Sequence, residues 1–484
     1  MKDYLAKIEE VIASGPYKAT WESLGNYPVP QWYSDAKFGI FIHWGVYAVP
    51  AFGNEWYPRH MYVKGTPEYA HHVKTYGEHK NFGYKDFIPM FKAESFDPKA
   101  WMRLFRDAGA KYVMPVAEHH DGFKMYKSGL SKWNSAEMGP CRDIIGALKA
   151  EADLLGIRLC CSNHRAEHFW FFSGGLEYES DVSGAGYDDF YGPPHKGIDD
   201  HQNLTDCPPT QEHLTDWLLT NCEMVDKYRP AVVYFDWWIQ QMQFKPYLRK
   251  FAAYYYNRAA EWGEQVAINN KFDSYLYTST VFDIERGQLS GVPPRLWQTD
   301  TSIAKNSWGY TENNDFKKAS GIAADLADII SKNGCLLLNV GPKPDGTITE
   351  EETRVLLDMG AWLKTNGEAV YGSAPWRIFG EGPTEIPDGE FSDTIRQPFT
   401  SLDIRFTTNR GNLYAFVLKS PEDGAVTIRS LGLCARNLLT VIKKISVLGS
   451  DSYVNFTQGS DALKVNIHTP VKTDFPICLK IEMH

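Results

Sequence analysis

Ala231-Val232-Val233-Tyr234-Phe235-Asp236 is apolar until its last residue, and two tryptophans, Trp237 and Trp238, follow it. An unbroken apolar run of this length suits a strand buried on both faces, as in a parallel sheet. Its carboxylate stands where such a strand would end. Three similar runs precede it, at 38–43, 112–118 and 157–163, and four follow, at 266–270, 281–285, 296–300 and 335–340. Helical patterns separate many of them, at 98–110, 143–155, 210–228, 245–262 and 316–333, with another at 350–365 after the last strand. Eight strands with intervening helices predict a (β/α)8, TIM-like barrel. Only about ten residues separate the fifth strand from the sixth, and likewise the sixth from the seventh. That is too short for a crossover helix with its loops, so the barrel is expected to be irregular there.

The texture changes near residue 375. Residues 373–400 are rich in Pro, Gly and acidic side chains, and alternating runs follow at 404–406, 426–428, 463–467 and 479–481. Period two with intervening turns predicts a C-terminal antiparallel β-sandwich. The expected division is a barrel over 1–375 and a sandwich over 376–484. The sandwich reads first as a structural companion of the barrel.

Composition narrows the function classes. The 484 residues are 43% hydrophobic and 23% charged, ordinary for a globular chain. Net charge is −10 and basic residues do not cluster, which argues against a nucleic-acid partner. No stretch of about 18 apolar residues marks a membrane span. The first ten residues lack the apolar core of a secretory signal. The eight cysteines follow no disulfide or zinc spacing. A cytoplasmic setting without metal or cofactor is the resulting expectation, and a homo-oligomer stays open. Aromatic content is 14%, with 15 Trp and 27 Tyr. That suits either dense packing or a site that lays aromatic faces against sugar rings.

Active sites of such barrels sit at the C-terminal ends of the strands. There the sequence places His43-Trp44-Gly45, then Asn54-Glu55-Trp56-Tyr57 in the next loop. Further on come Glu118-His119-His120-Asp121, Ser162-Asn163-His164, Tyr234-Phe235-Asp236, Asn269-Asn270-Lys271, Glu285-Arg286 and Gln298-Thr299-Asp300. Singly, each has a plainer reading. Asp236 could cap a helix, His119 and His120 could be packed core histidines, Glu285-Arg286 could be a surface ion pair, and Trp56 could be core. Together they form a rim of Asp, Glu, His and Trp with no phosphate cradle. Such a rim suits glycoside hydrolysis, which needs one ionised and one protonated carboxyl group.

These motifs resemble the α-L-fucosidases of glycoside hydrolase family 29. The matching stretches are 38–45, 54–57, 118–123, 141–143, 233–236, 307–310 and 336–342. The resemblance implies a retaining exo-fucosidase acting on fucosylated oligosaccharides or glycoconjugates. Asp236 matches the family nucleophile, and His43, Glu55, Trp56, His119 and His120 match its fucose-binding residues. The acid/base lies on a later, variable loop. Glu285 is the candidate, with Glu261 and Glu264 as competitors in a helix end ahead of the fifth strand. His164, Tyr234 and Lys271 are expected in the pocket or on its rim, where this chain departs from many relatives. Ser162-Asn163-His164 replaces a Tyr-Tyr-Ser-like segment, Lys271 an arginine, and Tyr234 a tryptophan found in some.

Three rival readings accompany this one. The barrel could bind fucose without turnover, or it could cleave a different terminal sugar. His164-Arg165-Ala166-Glu167-His168 also fits H-x-x-E-H, a zinc-peptidase pattern that requires a helix and a third ligand.

Overall fold

The computed structural model describes residues 2–184, 186–192, 194–195, 207–395 and 397–484. Eight parallel staves close into a barrel: β1 (Phe38–Ile42), β2 (Tyr112–Glu118), β3 with β4 (Arg158–Leu159, Cys161–Asn163), β5 (Val232–Phe235), β6 (Ala267–Asn270), β7 (Val281–Glu285), β8 (Trp297–Ser302) and β9 (Gly334–Val340). β1 pairs with both β9 and β2, which closes the ring. The third stave is interrupted at Cys160, hence its two labels. No helix separates β6 from β7 or β7 from β8 among the described residues, as the short spacings predict.

The apolar runs are continuous because both faces of each strand are buried, and alternation still sorts the side chains. Phe41, Tyr112, Met114, Val116, Cys160, Val232, Tyr234, Cys335 and Leu337 pack into one core inside the ring. Ile40, Ile42, Val113, Leu159, Val233, Phe235, Leu336 and Leu338 face the helices. Gly39 shows how tightly the interior is filled: a Cβ there would lie 2.4 Å from the Tyr112 ring. Tyr33, from the helix Gln31–Ala36, enters this inner core and donates to Gln298 Oε1 at 2.5 Å.

The outer helices begin where capping residues stop the preceding loops. Asp143 accepts from Gly146 N at 2.9 Å, Thr210 from His213 N at 3.3 Å, and Thr349 from Glu352 N at 3.2 Å. Among the described residues, no helix is long and apolar enough to cross a membrane.

The C-terminal part is antiparallel. Its strands are β10 (Ala374–Glu381), β11 (Ile404–Asn409), β12 (Asn412–Val417), β13 (Ala425–Ile428), β14 (Ile442–Val447), β15 (Val454–Gln458), β16 (Leu463–Ile467) and β17 (Ile477–Met483). One sheet runs β10-β11-β12-β17-β14 and the other β13-β16-β15. Phe406, Leu413 and Leu479 of the first pack with Val426, Leu463 and Val465 of the second. The opposite face of the larger sheet joins the barrel, where Phe416 packs near Trp362 and the Trp362 indole donates to Pro476 O at 2.9 Å.

Candidate active site

Parity along the strands aims the polar residues. Where Phe41, Ser162, Tyr234, Asn269, Asp283 and Gln298 point inward, the residues two further on point the same way at the C-terminal rim. Those are His43, His164, Asp236, Lys271, Glu285 and Asp300, and all six line one cavity of about 390 Å³. That volume is near the lower end of the roughly 300–1,000 Å³ usual for small-molecule sites. Glu55, Trp56, His119, His120 and Tyr234 line it too, so each of the ten sequence candidates meets there. At β2 the parity breaks. Its pairing with β4 slips by one residue between Val116 and Glu118. Glu118 then pairs with Lys124 and Arg165 instead of entering the cavity, and His119 and His120 take its place. Trp44 turns away and packs against Phe91, Phe96 and Trp101.

Asp236 caps no helix. Its Oδ1 accepts from Lys271 Nζ at 2.8 Å and its Oδ2 lies 2.9 Å from His164 Nδ1 and 3.6 Å from His120 Nε2. Burial alone would push its pKa up. The Lys271, His164 and His120 contacts outweigh that and hold the carboxyl well below its usual range, so it is ionised. Lys271 also bonds Glu285, whose other oxygen accepts from the Trp308 indole at 3.2 Å. Burial disfavours the Lys271 ammonium, but its contacts with Asp236 and Glu285 keep it well above its ordinary value. One cation thus bridges the two carboxyl groups.

The histidines divide by charge. His43, His119 and His164 are pulled down chiefly by burial, which keeps them neutral. Asn339 Oδ1 orients His43, 2.7 Å from its Nδ1. His119 Nδ1 is buried without a hydrogen-bond partner among the described residues, as is Oδ1 of Asp300. His120 is the exception. Burial opposes its charge, yet Glu167, 2.8 Å from its Nδ1, and Asp236 raise it to about 9.

That shift carries a pH signature. A histidine whose folded pKa exceeds its ordinary 6.5 adds stability that is fully present below pH 6.5 and is lost as pH rises through about 9. Thermal melts across that window should fall more steeply for the wild type than for His120→Asn, which cannot titrate. Equal slopes would contradict the charged His120.

The sequence assigns no role to several further residues of the site, although it places Asp300 on the rim. Asp300 accepts from the Tyr234 hydroxyl at 2.9 Å, and burial pushes it up to about 7. Asp283, behind it, is raised well above the usual range by burial and by Asp300. Strand parity carries the signal for both. Trp308 and Asn339 lie within the motif stretches. Glu390 and Phe391 line the cavity from the C-terminal part, and no strand-end rule reaches them. Glu55 accepts from Trp308 N at 2.9 Å and Ser307 Oγ at 3.1 Å.

The zinc reading fails on local geometry. Residues 165–171 form a short 3-10 turn and one helical turn. His168 Nδ1 faces the backbone oxygen of His120 at 3.0 Å, while His164 faces Asp236. Among the described residues, the histidine clusters close enough to share an ion are His43–His119–His164 and His120–His164–Asp236, and neither includes His168. Glu261 and Glu264 pair with Arg258 and Arg158, away from the cavity.

The sequence profile of the family described as Alpha-L-fucosidase matches residues 4–368. The chain belongs to that family. Tissue alpha-L-fucosidase of Rattus norvegicus is 31% identical over 457 residues, covering 92% of this chain and 87% of the relative. The human tissue alpha-L-fucosidase is 29% identical over 477 residues, covering 95% and 90%. Among solved structures, the Thermotoga maritima alpha-fucosidase in complex with fucose superposes with a TM-score of 0.76 at 29% identity, covering 96% of this chain and 100% of that one. Family membership makes the chain a glycoside hydrolase and accounts for the barrel-plus-antiparallel architecture.

Proposed function

We propose that this exo-α-L-fucosidase releases terminal α-L-fucose from fucosylated glycans by a two-step, retaining displacement, with Asp236 as nucleophile and Glu285 as acid/base. Family membership carries the reaction and the sugar. The observation that supports the mechanism is the Lys271 ammonium bonded to both carboxyl groups. Two oxygens bonded to one ammonium can stand no further apart than two charge-assisted hydrogen-bond lengths, about 5.8 Å. Retaining enzymes hold their carboxyl pair about 5–5.5 Å apart, whereas inverting enzymes need roughly 6.5–9.5 Å to admit water.

In the first step an Asp236 oxygen attacks C1 while Glu285, in its acid form, protonates the departing glycosidic oxygen. The C1–O bond to the aglycone breaks and a β-linked fucosyl ester forms. In the second step Glu285, now a carboxylate, takes a proton from water as that water attacks C1. The ester breaks, Asp236 leaves as carboxylate, and the sugar departs with its original α configuration. Lys271, His164 and His120 keep Asp236 ionised for attack. Neutral His43 and His119, with Glu55, are placed to hold the hydroxyls, and Trp56 offers an apolar face.

Retention is checked on the first-formed product. Proton NMR within the first minutes of hydrolysis should show α-L-fucose ahead of mutarotation. Initial β-L-fucose would mean inversion and would remove Asp236 from its covalent role.

A further inference from the structure

The connection between β10 and β11 leaves the C-terminal part and returns to the barrel rim. There it lies along the loop after β7. Phe391 N donates to Glu285 O at 2.9 Å, Ser392 N to Arg286 O at 2.8 Å, and Gly389 N to Gln288 O at 3.1 Å. Asp393 ties the segment down through Arg286 at 3.5 Å, Thr301 at 2.5 Å and Lys317. The approach is close enough that a Cβ on Gly287 would lie 1.9 Å from the oxygen of Gly389.

This anchored segment presents Phe391 to solvent, 54% exposed, while the same ring lines the sugar cavity. Phe272, half-buried, lines it as well. Both hold φ angles in the left-handed region, 55° and 52°, which disfavours any residue carrying a Cβ. Backbone in that region persists where its surroundings over-determine it, and such positions gather at functional sites. Both residues line the same cavity as Glu285. A leaving oxygen protonated by Glu285 lies about 2.6–3.2 Å from that carboxyl group. The ring attached to that oxygen therefore emerges beside the residue whose backbone Phe391 clasps.

We propose that Phe391, with Phe272 as a second wall, forms the binding site for the leaving sugar, a pyranose whose C–H face packs on the aromatic ring. Asn54, His60 and Glu390 line the same cavity. The C-terminal part then contributes directly to substrate choice. The inference rests on Glu285 as the acid that protonates the leaving oxygen.

The test compares two substrates that both need protonation but differ in having a second ring. One is whichever fucosyl-pyranose disaccharide the wild type cleaves fastest, and the other is methyl α-L-fucoside. Phe391→Ala and Phe391→Gly should each lower kcat/KM on the disaccharide by about 10- to 50-fold, the scale of one lost aromatic contact. On the methyl fucoside the change should stay under about twofold. Phe391→Trp should preserve disaccharide cleavage. Phe391→Gly, freed of the backbone penalty, should melt no lower than the wild type, separating contact loss from misfolding. Equal losses on both substrates would mean that Phe391 only positions Glu285, and would overturn the proposal. So would an undiminished rate on the disaccharide. A wild type that frees fucose from neither substrate would instead sink the fucosidase reading itself.

Discussion

Replacing Asp236 with glycine should reduce kcat on 4-nitrophenyl α-L-fucoside by about 10⁴-fold, near 5 kcal/mol of transition-state stabilisation. The loss is large because the substitution removes the attacking carboxylate itself. Lys271 and His164 both bond the Asp236 carboxylate and cannot replace it as a nucleophile. The fold should survive, since the carboxylate caps no helix and its partners sit at an open cavity. Removal leaves a hole of carboxylate size next to two cationic groups, Lys271 and His120, and that hole favours a small anion. Added azide should therefore restore part of the turnover. Because azide enters by a single displacement, the product should be β-L-fucosyl azide. A folded variant that keeps more than a tenth of wild-type activity would place the nucleophile elsewhere.

The second large effect falls on Glu285. Glu285→Ala should cost about 10²–10⁴-fold on a fucosyl disaccharide, the usual contribution of a positioned general acid. A 4-nitrophenyl leaving group needs little protonation, so its first step should be nearly spared. Its turnover then becomes limited by hydrolysis of the fucosyl ester, which lacks a base. Azide attacks that ester without help, and this second displacement should yield α-L-fucosyl azide, opposite to the Asp236 variant. Equal losses on both substrates, or a β-azide product, would move the acid/base role to another carboxyl of the cavity, such as Asp300 or Glu390.

Much of the barrel was legible because its strands are buried on two faces, which leaves apolar runs with polar stops. The stops at His43, Asp236, Lys271 and Glu285 fall on the inward parity of their strands, and simple alternation extends to Asp300 and Asn339. The irregular stretch between β6 and β8 followed from chain length alone. Other features depend on pairings that no local pattern encodes. The slip between Val116 and Glu118 sends Glu118 to Arg165 and brings two histidines into the site. Strands β12 and β14 lie among turn-rich stretches whose apolar alternation is short. Phe391 is the furthest from legibility. It sits in a Pro/Gly/acidic stretch that reads as a linker, and only tertiary hydrogen bonds to residues 285–288 bring it to the barrel rim. The bridge from Lys271 to both carboxyl groups likewise needs coordinates, since 35 residues separate it from Asp236 and 14 from Glu285.

The covalent step itself can be caught. A fucosyl fluoride bearing fluorine at C2 slows both displacements, while its good leaving group still allows the ester to accumulate. Incubating the enzyme with it, digesting at low pH and sequencing the labelled peptide by mass spectrometry should find one 2-fluorofucosyl group, esterified to Asp236. A label on Glu285, or inactivation with that peptide unmodified, would contradict the account.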